Sequence, residues 1–506
     1  MVRTPIDVAN RKQLFIDQRF IVESNGIKQT VNQPKLASVA IEPGPAEAWD
    51  DGIVGGYGQV FEEDGRLRQY FSCRSARRLA GQFDAGGDAS VHLCYAESTD
   101  GVRWTKPNLG VFEYNGSRDN NITCPDAGYV MADPKGRPGE RYKLMCCAYA
   151  QIGAKNIFDA LQPDTGGLYF YTSPDGLHWT WRPRRVLGLY PDSANQIDYD
   201  ERIGKYVAYV RTWPDGFFRP RYTYGRAVGR AELDDPMHPW PYDKVSPGFR
   251  PWGPQRIATI SKEVPTVLAY PGYADEGHWT DIYNPALVQY PWADDVYLAF
   301  PSLNHIEVDS PIPNHSRLEI GLAVSRDGIA WTWPSVDPYI PFGPPDTGRG
   351  GMLYMHVGLA RRGDEVYQYH MGTDIEHHGQ VGKVYGLEGC RNSGRVYRMV
   401  QRLDGFVSVD FPGAGGSFTT PPVRFAGREL HLNASAAGGE LRVAVQDPSG
   451  RPAPGLEADA CDVIAKDAVD LRVSWKDPRD LEALSGQPIR LRFQGRSAKL
   501  FAFQFR

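Results

Sequence analysis

Apolar and polar residues alternate along this chain in short runs broken by Gly, Pro, Asn and Asp, the pattern of half-buried strands and tight turns. Residues 55–61, 67–72 and 91–97 read as three such strands, with Glu63-Asp64-Gly65 turning between the first two and Trp104 opening a fourth. The same order returns at 127–132, 142–148, 167–172 and 178–182. It returns in part at 195–199 and 206–211, at 285–290, 296–301 and 318–324, and at 351–359 and 365–371. Each round is a four-stranded antiparallel meander.

A repeated turn marks the rounds. Ser-x-Asp-Gly-x-x-Trp occurs at Ser98 to Trp104, Ser173 to Trp179 and Ser325 to Trp331. Asp-Gly supplies the positive φ of a hairpin turn, the Ser and Asp side chains bond its backbone, and the Trp anchors the next strand. Asp100 and Asp175 are 75 residues apart, Asp175 and Asp327 152, about twice that, and a worn copy at Asp404-Gly405 follows after 77 more. A second worn copy runs from Gly229 through Asp234 and Asp235 to Trp240. Five units result, and five four-stranded units at a fixed period predict a five-bladed β-propeller, which protects its sheet edges by packing blades around an axis.

After Asp404 the rhythm changes. Residues 429–433, 440–445, 470–475, 489–493 and 499–505 alternate strictly, which predicts a β-sandwich. The expected division is a propeller over residues 1–405, carrying the chemistry, and an accessory sandwich over 406–506. The fold class is all-β.

Composition agrees: Gly and Pro are 94 of 506 residues, about 19% against a usual 12%. A net charge of −5 with interspersed signs offers no basic face for nucleic acid and no polybasic membrane patch. Asp7, Arg11, Lys12, Asp17 and Arg19 interrupt any leader-like apolar run, so the chain reads as cytoplasmic, or as secreted if a signal peptide preceded it. Seven cysteines without Cys-x-x-Cys or Cys/His metal spacing read as reduced core residues. No cofactor is expected. His377-His378 could touch a cation or substrate, but no spacing here is diagnostic of a metal site.

In a propeller, side chains at the start of each blade's first strand converge on one mouth. Just before the five first strands stand Asp51, Asp126, Asp192, Asp281 and Asp346. Gathered carboxylates are electrostatically costly unless they serve acid/base work. Glycoside hydrolysis needs such a set: one acid for the leaving oxygen, one carboxylate to attack or activate water, and a neighbour that tunes them. Trp49 beside Asp50 and Asp51, Trp279 and Tyr283 around Asp281, and Tyr190 before Asp192 offer rings for sugar C–H faces.

The segment Trp49-Asp50-Asp51-Gly52, the Ser-x-Asp-Gly-x-x-Trp hairpins, the stretch from Tyr95 to Gly110 and the ending from Leu484 to Phe493 resemble the five-bladed propellers of glycoside hydrolase families 32, 43 and 68. The closest resemblance is to unassigned proteins resembling family 32, which also end in a β-sandwich. It covers nearly the whole chain as architecture. The motifs depart from family 32, which has Asn-Asp-Pro-Asn-Gly, Arg-Asp-Pro and Glu-Cys in its first three blades. Asp51 matches the first-blade nucleophile or base by position, Asp133-Pro134 falls at an outer turn, and Asp192 stands where a Glu would open the third blade.

The expected activity is hydrolysis of a furanoside such as a fructoside or arabinoside. Asp51 is the expected nucleophile or general base, with Asp192 and Asp281 sharing the acid and tuning roles. Trp49, Asp50, Asp126, Arg211, Trp279, Tyr283, Asp346, Arg349 and His356 are the expected substrate contacts. Two alternatives stay open: a phosphorylase or transglycosylase, for which Arg349 and His356 gain importance, and a carbohydrate-binding propeller without catalysis. A sialidase fits less well, since it has six blades, an Asp-box spaced Ser-x-Asp-x-Gly-x-x-Trp and three converging arginines.

Overall fold

In a computed structural model, residues 4–81, 91–148, 150–153, 166–188, 192, 195–212, 225–242, 264–271, 279–312, 314–378, 380–476 and 481–506 are described. Among them the chain is nearly all β, with two short α-helices, Ala76–Gly81 and Val381–Cys390. No helix among the described residues is long and apolar enough to cross a membrane.

Five antiparallel sheets follow the sequence rhythm, but the first and fifth are parts of one twelve-stranded sheet, joined by a parallel bridge between Gly394 and Ile53, which also takes in Trp279–Ile282, Ser302–Ile306 and Ser316–Ile320 through a parallel bridge between Leu318 and Met352. The first runs Ile53–Glu63, Arg66–Arg74, His92–Ser98 and Ile122–Cys124. The second runs Gly128–Ala132, Tyr142–Cys146, Leu168–Ser173 and Thr180–Leu187, and the third Gln196–Asp200, Lys205–Thr212, Ala227–Leu233 and Thr266–Leu268. The fourth is Leu287–Gln289, Tyr297–Ala299, Ala323–Ser325 and Trp331–Thr332. Its first three strands follow directly on Trp279–Ile282, precede Ser302–Ile306 and follow Ser316–Ile320, so the chain bends at Tyr283, at Phe300 and at Gly321. The fifth is Met352–Met355, Glu365–Thr373 and Gly394–Arg402, completed by Lys35–Ile41 from near the N-terminus.

The three intact turn motifs share one geometry. The Ser98, Ser173 and Ser325 hydroxyls each accept the Gly amide at 2.9 Å. Oδ1 of Asp100, Asp175 and Asp327 accepts the amide two residues on at 2.8 Å. In the worn copy Asp235 Oδ1 accepts the Met237 amide at 2.8 Å, and Trp240 is buried. Backbone hydrogen bonds to these carboxylates are why Asp100 and Asp327 hold their protons less tightly than an ordinary Asp, although for Asp327 burial pulls the other way.

Two six-stranded sheets enclose one apolar cluster that includes Val409, Phe418, Leu441, Phe493 and Phe503. Their make-up corrects the division at residue 405. Ile6–Ala9 pairs in parallel with Val423–Phe425, Gln13–Leu14 with Ala498–Phe505, Glu23–Asn25 with Gly416–Thr419, and Lys28–Val31 with Val407–Phe411. Phe15 is fully buried among Phe418, Phe493 and Phe503, at centroid distances of 5.4, 5.9 and 5.6 Å. Alternation identifies a strand but not its partner, so these N-terminal strands carry no mark of the sheets they complete. All seven cysteines are buried and free.

Candidate active site

The bend after Trp279–Ile282 presents Tyr283, and the most elaborate polar cluster of the described residues is built on that ring. Register with Ser302–Ile306 sets Asp281 opposite Asn304. Asp281 is fully buried and accepts Asn304 Nδ2 at 2.7 Å, the Arg226 amide at 3.0 Å and Arg226 Nη1 at 3.3 Å. Arg226 precedes the strand Ala227–Leu233, whose register puts Ala227 opposite Thr212 and Val228 opposite Arg211. The Arg211 and Arg226 guanidinium carbons lie 4.6 and 4.9 Å from the Tyr283 ring centroid. Arg211 Nη2 donates to the Tyr283 carbonyl at 2.6 Å, and its Nη1 is paired with Asp192.

Burial by itself would pull the Arg211 guanidinium down, but the charge of Asp192, then Tyr283, Tyr57 and Asp281, outweighs it, and the group is raised above the ordinary arginine value. Asp192 sits in the left-handed region at φ 61° with its side chain 15% exposed. Its carbonyl accepts Asn195 Nδ2 at 2.7 Å. An Asp held at positive φ, ion-paired yet open to solvent, is the kind of local strain that collects at functional sites.

Aromatic rings extend the cluster. Tyr283 meets Tyr354 edge-on at 5.6 Å, and Tyr354 meets Tyr57 at 5.3 Å. Tyr57 lies at φ 48° in a stretch of the strand Ile53–Glu63 where the register shifts twice, between Val54 and Gly56 and between Gly56 and Gln59. Only so glycine-rich a segment lets the strand bulge and re-aim one side chain. On the other side of Tyr283 stands His377, its Nε2 3.2 Å from the phenol oxygen and its Nδ1 3.1 Å from the Asn314 carbonyl.

The structure thus brings Asp192, Asp281, Arg211 and Tyr283 together, and places the other expected residues differently. Asp51 Oδ1 caps the helix Ala76–Gly81 through the Ala76 amide at 2.7 Å, and its Oδ2 takes the Glu47 amide at 2.9 Å and Arg391 Nη1 at 2.7 Å. With 4% exposure and three donors, that carboxylate ties a helix and a loop together. Asp50 is buried against Lys106 at 2.6 Å, and burial raises its pKa despite that partner. Trp49 donates to Asn121 Oδ1 at 2.9 Å. Asp126, raised by burial, accepts the Tyr171 hydroxyl at 2.6 Å and the Ala150 amide at 2.7 Å.

Asp346 is exposed in a turn. The Arg349 guanidinium reaches His370 Nε2 and the Pro341 carbonyl, both at 3.3 Å. His356 is fully buried, with Nε2 2.7 Å from the Gly55 carbonyl and Nδ1 2.6 Å from Gln69 Nε2. Burial pushes its pKa down to about 4. Both of its ring nitrogens are thus engaged within the core. Trp279 opens the strand that carries Asp281. Tyr190 lies outside the described residues. No group of three His, Cys, Asp or Glu among the described residues is placed to hold a metal.

Arg226, Asn304, Tyr57, Tyr354 and the orientation of His377 escaped the sequence reading. Only Tyr57 carried a signal, the run Gly55-Gly56-Tyr57-Gly58 inside a strand.

No protein-family model matches the chain, and no curated protein matches it in sequence. Solved structures similar to it include a glycoside hydrolase family 43 arabinoxylan arabinofuranohydrolase from Bacillus subtilis, 12% identical, covering 91% of this chain and 97% of that one at a TM-score of 0.39. A glycosyl hydrolase from Bacteroides ovatus is 16% identical over 78% and 97% at 0.41. An N-acetylgalactosamine deacetylase from F. plautii is 10% identical over 76% and 97% at 0.40. TM-scores in this range leave the fold and the chemistry of the chain to be argued from its own residues.

Proposed function

We propose that the chain is a glycoside hydrolase in which the five antiparallel sheets are the blades of a β-propeller, the two six-stranded sheets are a β-sandwich, and Asp192 is the reacting carboxylate. One observation carries this: a partly exposed Asp192 is ion-paired with Arg211, whose guanidinium also lies over Tyr283, one of a row of tyrosine rings with Tyr354 and Tyr57. Rings bind sugar C–H faces, and a carboxylate fixed by a guanidinium is a poor proton donor and a ready nucleophile or base. Asp281 is sealed, so its role is to hold Arg226 against Tyr283. The favoured substrate is a small sugar such as a furanoside.

The test is hydrolysis of a panel of aryl furanosides and pyranosides by the wild type, Asp192→Asn and Asp51→Asn. Turnover of one glycoside, lost in Asp192→Asn and kept per folded molecule in Asp51→Asn, supports the reading. Turnover that survives Asp192→Asn refutes it. The sealed state of Asp281 leaves one open carboxylate, which favours a second reading, a propeller that binds carbohydrate without cleaving it. Saturable sugar binding with no turnover is its signature.

A further inference from the structure

Glycoside cleavage asks for two groups, and the site offers one open carboxylate. Of the three phenols at the same place, those of Tyr57, Tyr354 and Tyr283, the last has the imidazole of His377 behind it. Nδ1 of His377 lies 3.1 Å from the Asn314 carbonyl, which can only accept, and 3.2 Å from the Ser316 hydroxyl, which can accept or donate, so a proton on Nδ1 is satisfied by both. With a proton on both nitrogens the imidazolium donates to that carbonyl from Nδ1 and to the Tyr283 oxygen from Nε2 across 3.2 Å, and once Nε2 has given up its proton it can accept the phenol proton in return. Paired backbone bonds between Ser316 and His377, both 2.9 Å, hold the imidazole's own backbone in place. The ring of Tyr283 is held in turn by Tyr354 and by the guanidinium groups of Arg211 and Arg226, and its residue keeps 8% of its surface open.

We infer that Tyr283 and His377 form a proton relay, with Tyr283 the group that touches substrate and His377 a positioning residue that stores the proton. This rests on the proposed reading that Asp192 attacks a glycoside. In the forward step Nε2–H of the imidazolium breaks and a new O–H forms on Tyr283, whose original proton passes to the glycosidic oxygen. The bond from that oxygen to the anomeric carbon breaks as the Asp192 carboxylate bonds to the carbon. In the second step water gives a proton to Tyr283 and the phenol proton returns to Nε2, while the hydroxide displaces Asp192. Every proton is accounted for within the two residues and the reactants.

Leaving-group dependence tests the relay. An alkyl glycoside needs a proton on its departing oxygen, and a dinitrophenyl glycoside does not. Tyr283→Phe and His377→Gln are expected to slow the alkyl substrate by about 100-fold or more and the dinitrophenyl substrate far less. Equal loss on both substrates, or no loss, overturns the relay while Asp192→Asn still reports on the proposed reading. A second measurement needs no turnover: labelling of the intact chain with phenylmethanesulfonyl fluoride, mapped by mass spectrometry. Tyr283 attacks sulfur as His377 takes its proton and fluoride leaves. Labelling of Tyr283 that falls about 10-fold in His377→Gln, with the other tyrosines unchanged, supports the relay even if no glycoside is cleaved. Labelling that ignores His377→Gln overturns it.

Discussion

His356 makes stability depend on acid in a direction and size that follow from its surroundings. Its ordinary value is 6.5 and burial takes it to about 4 in the folded chain. The unfolded chain therefore takes up a proton first, so the neutral ring's contribution is complete above about pH 6.5 and is lost as the pH falls toward 4. At about 1.4 kcal/mol per tenfold difference in proton affinity, the whole effect is about 3 kcal/mol, of which about 2 kcal/mol is gone by roughly pH 5. Protonation would also set a second N–H against Gln69 Nε2, itself a donor, at a fully buried position. The assay is urea unfolding followed by tryptophan fluorescence at about pH 7.5 and 5. His356→Gln carries no titrating ring, while the other buried histidines, His92, His370 and His378, remain in both proteins. The wild type is expected to lose about 2 kcal/mol more than the variant between the two conditions. Equal losses would refute the claim that His356 is a neutral core residue.

Two further outcomes follow from packing and capping. Phe15→Ala removes a ring fully buried among three phenylalanines, so it should cost about 3–5 kcal/mol in urea unfolding, and residues 406–506 expressed alone should show no cooperative transition. Asp51→Asn keeps the shape but weakens the helix cap and the Arg391 pair, so it should lower stability by about 1–3 kcal/mol; an unchanged melting midpoint would contradict the structural role given to Asp51.

Five acids stood in one sequence context, before five expected first strands, and nothing local separated them. Their fates are set by partners far along the chain. Asp51 meets Arg391, 340 residues away, Asp126 meets Tyr171, Asp346 turns to solvent, and Asp192 and Asp281 meet Arg211 and Arg226. Tyr283 and His377 are 94 residues apart, and their contact depends on a bend in one strand and a bridge to Ser316 from another. The turn motifs were legible because everything they need lies within seven residues: a serine oxygen, an aspartate, a glycine with positive φ and a tryptophan.

By itself, then, the chain's order of residues determined most of the strands and the hairpins that carry the turn motif, since these depend on alternation and on turn chemistry that neighbours alone satisfy. Tertiary structure decided which strands share a sheet, as with Phe15 and the strand Lys35–Ile41, because pairing follows burial and alternation names no partner. It also decided which charged groups face a cavity and which are locked, because a carboxylate's chemistry is set by the donors packed around it, and those come from the rest of the chain.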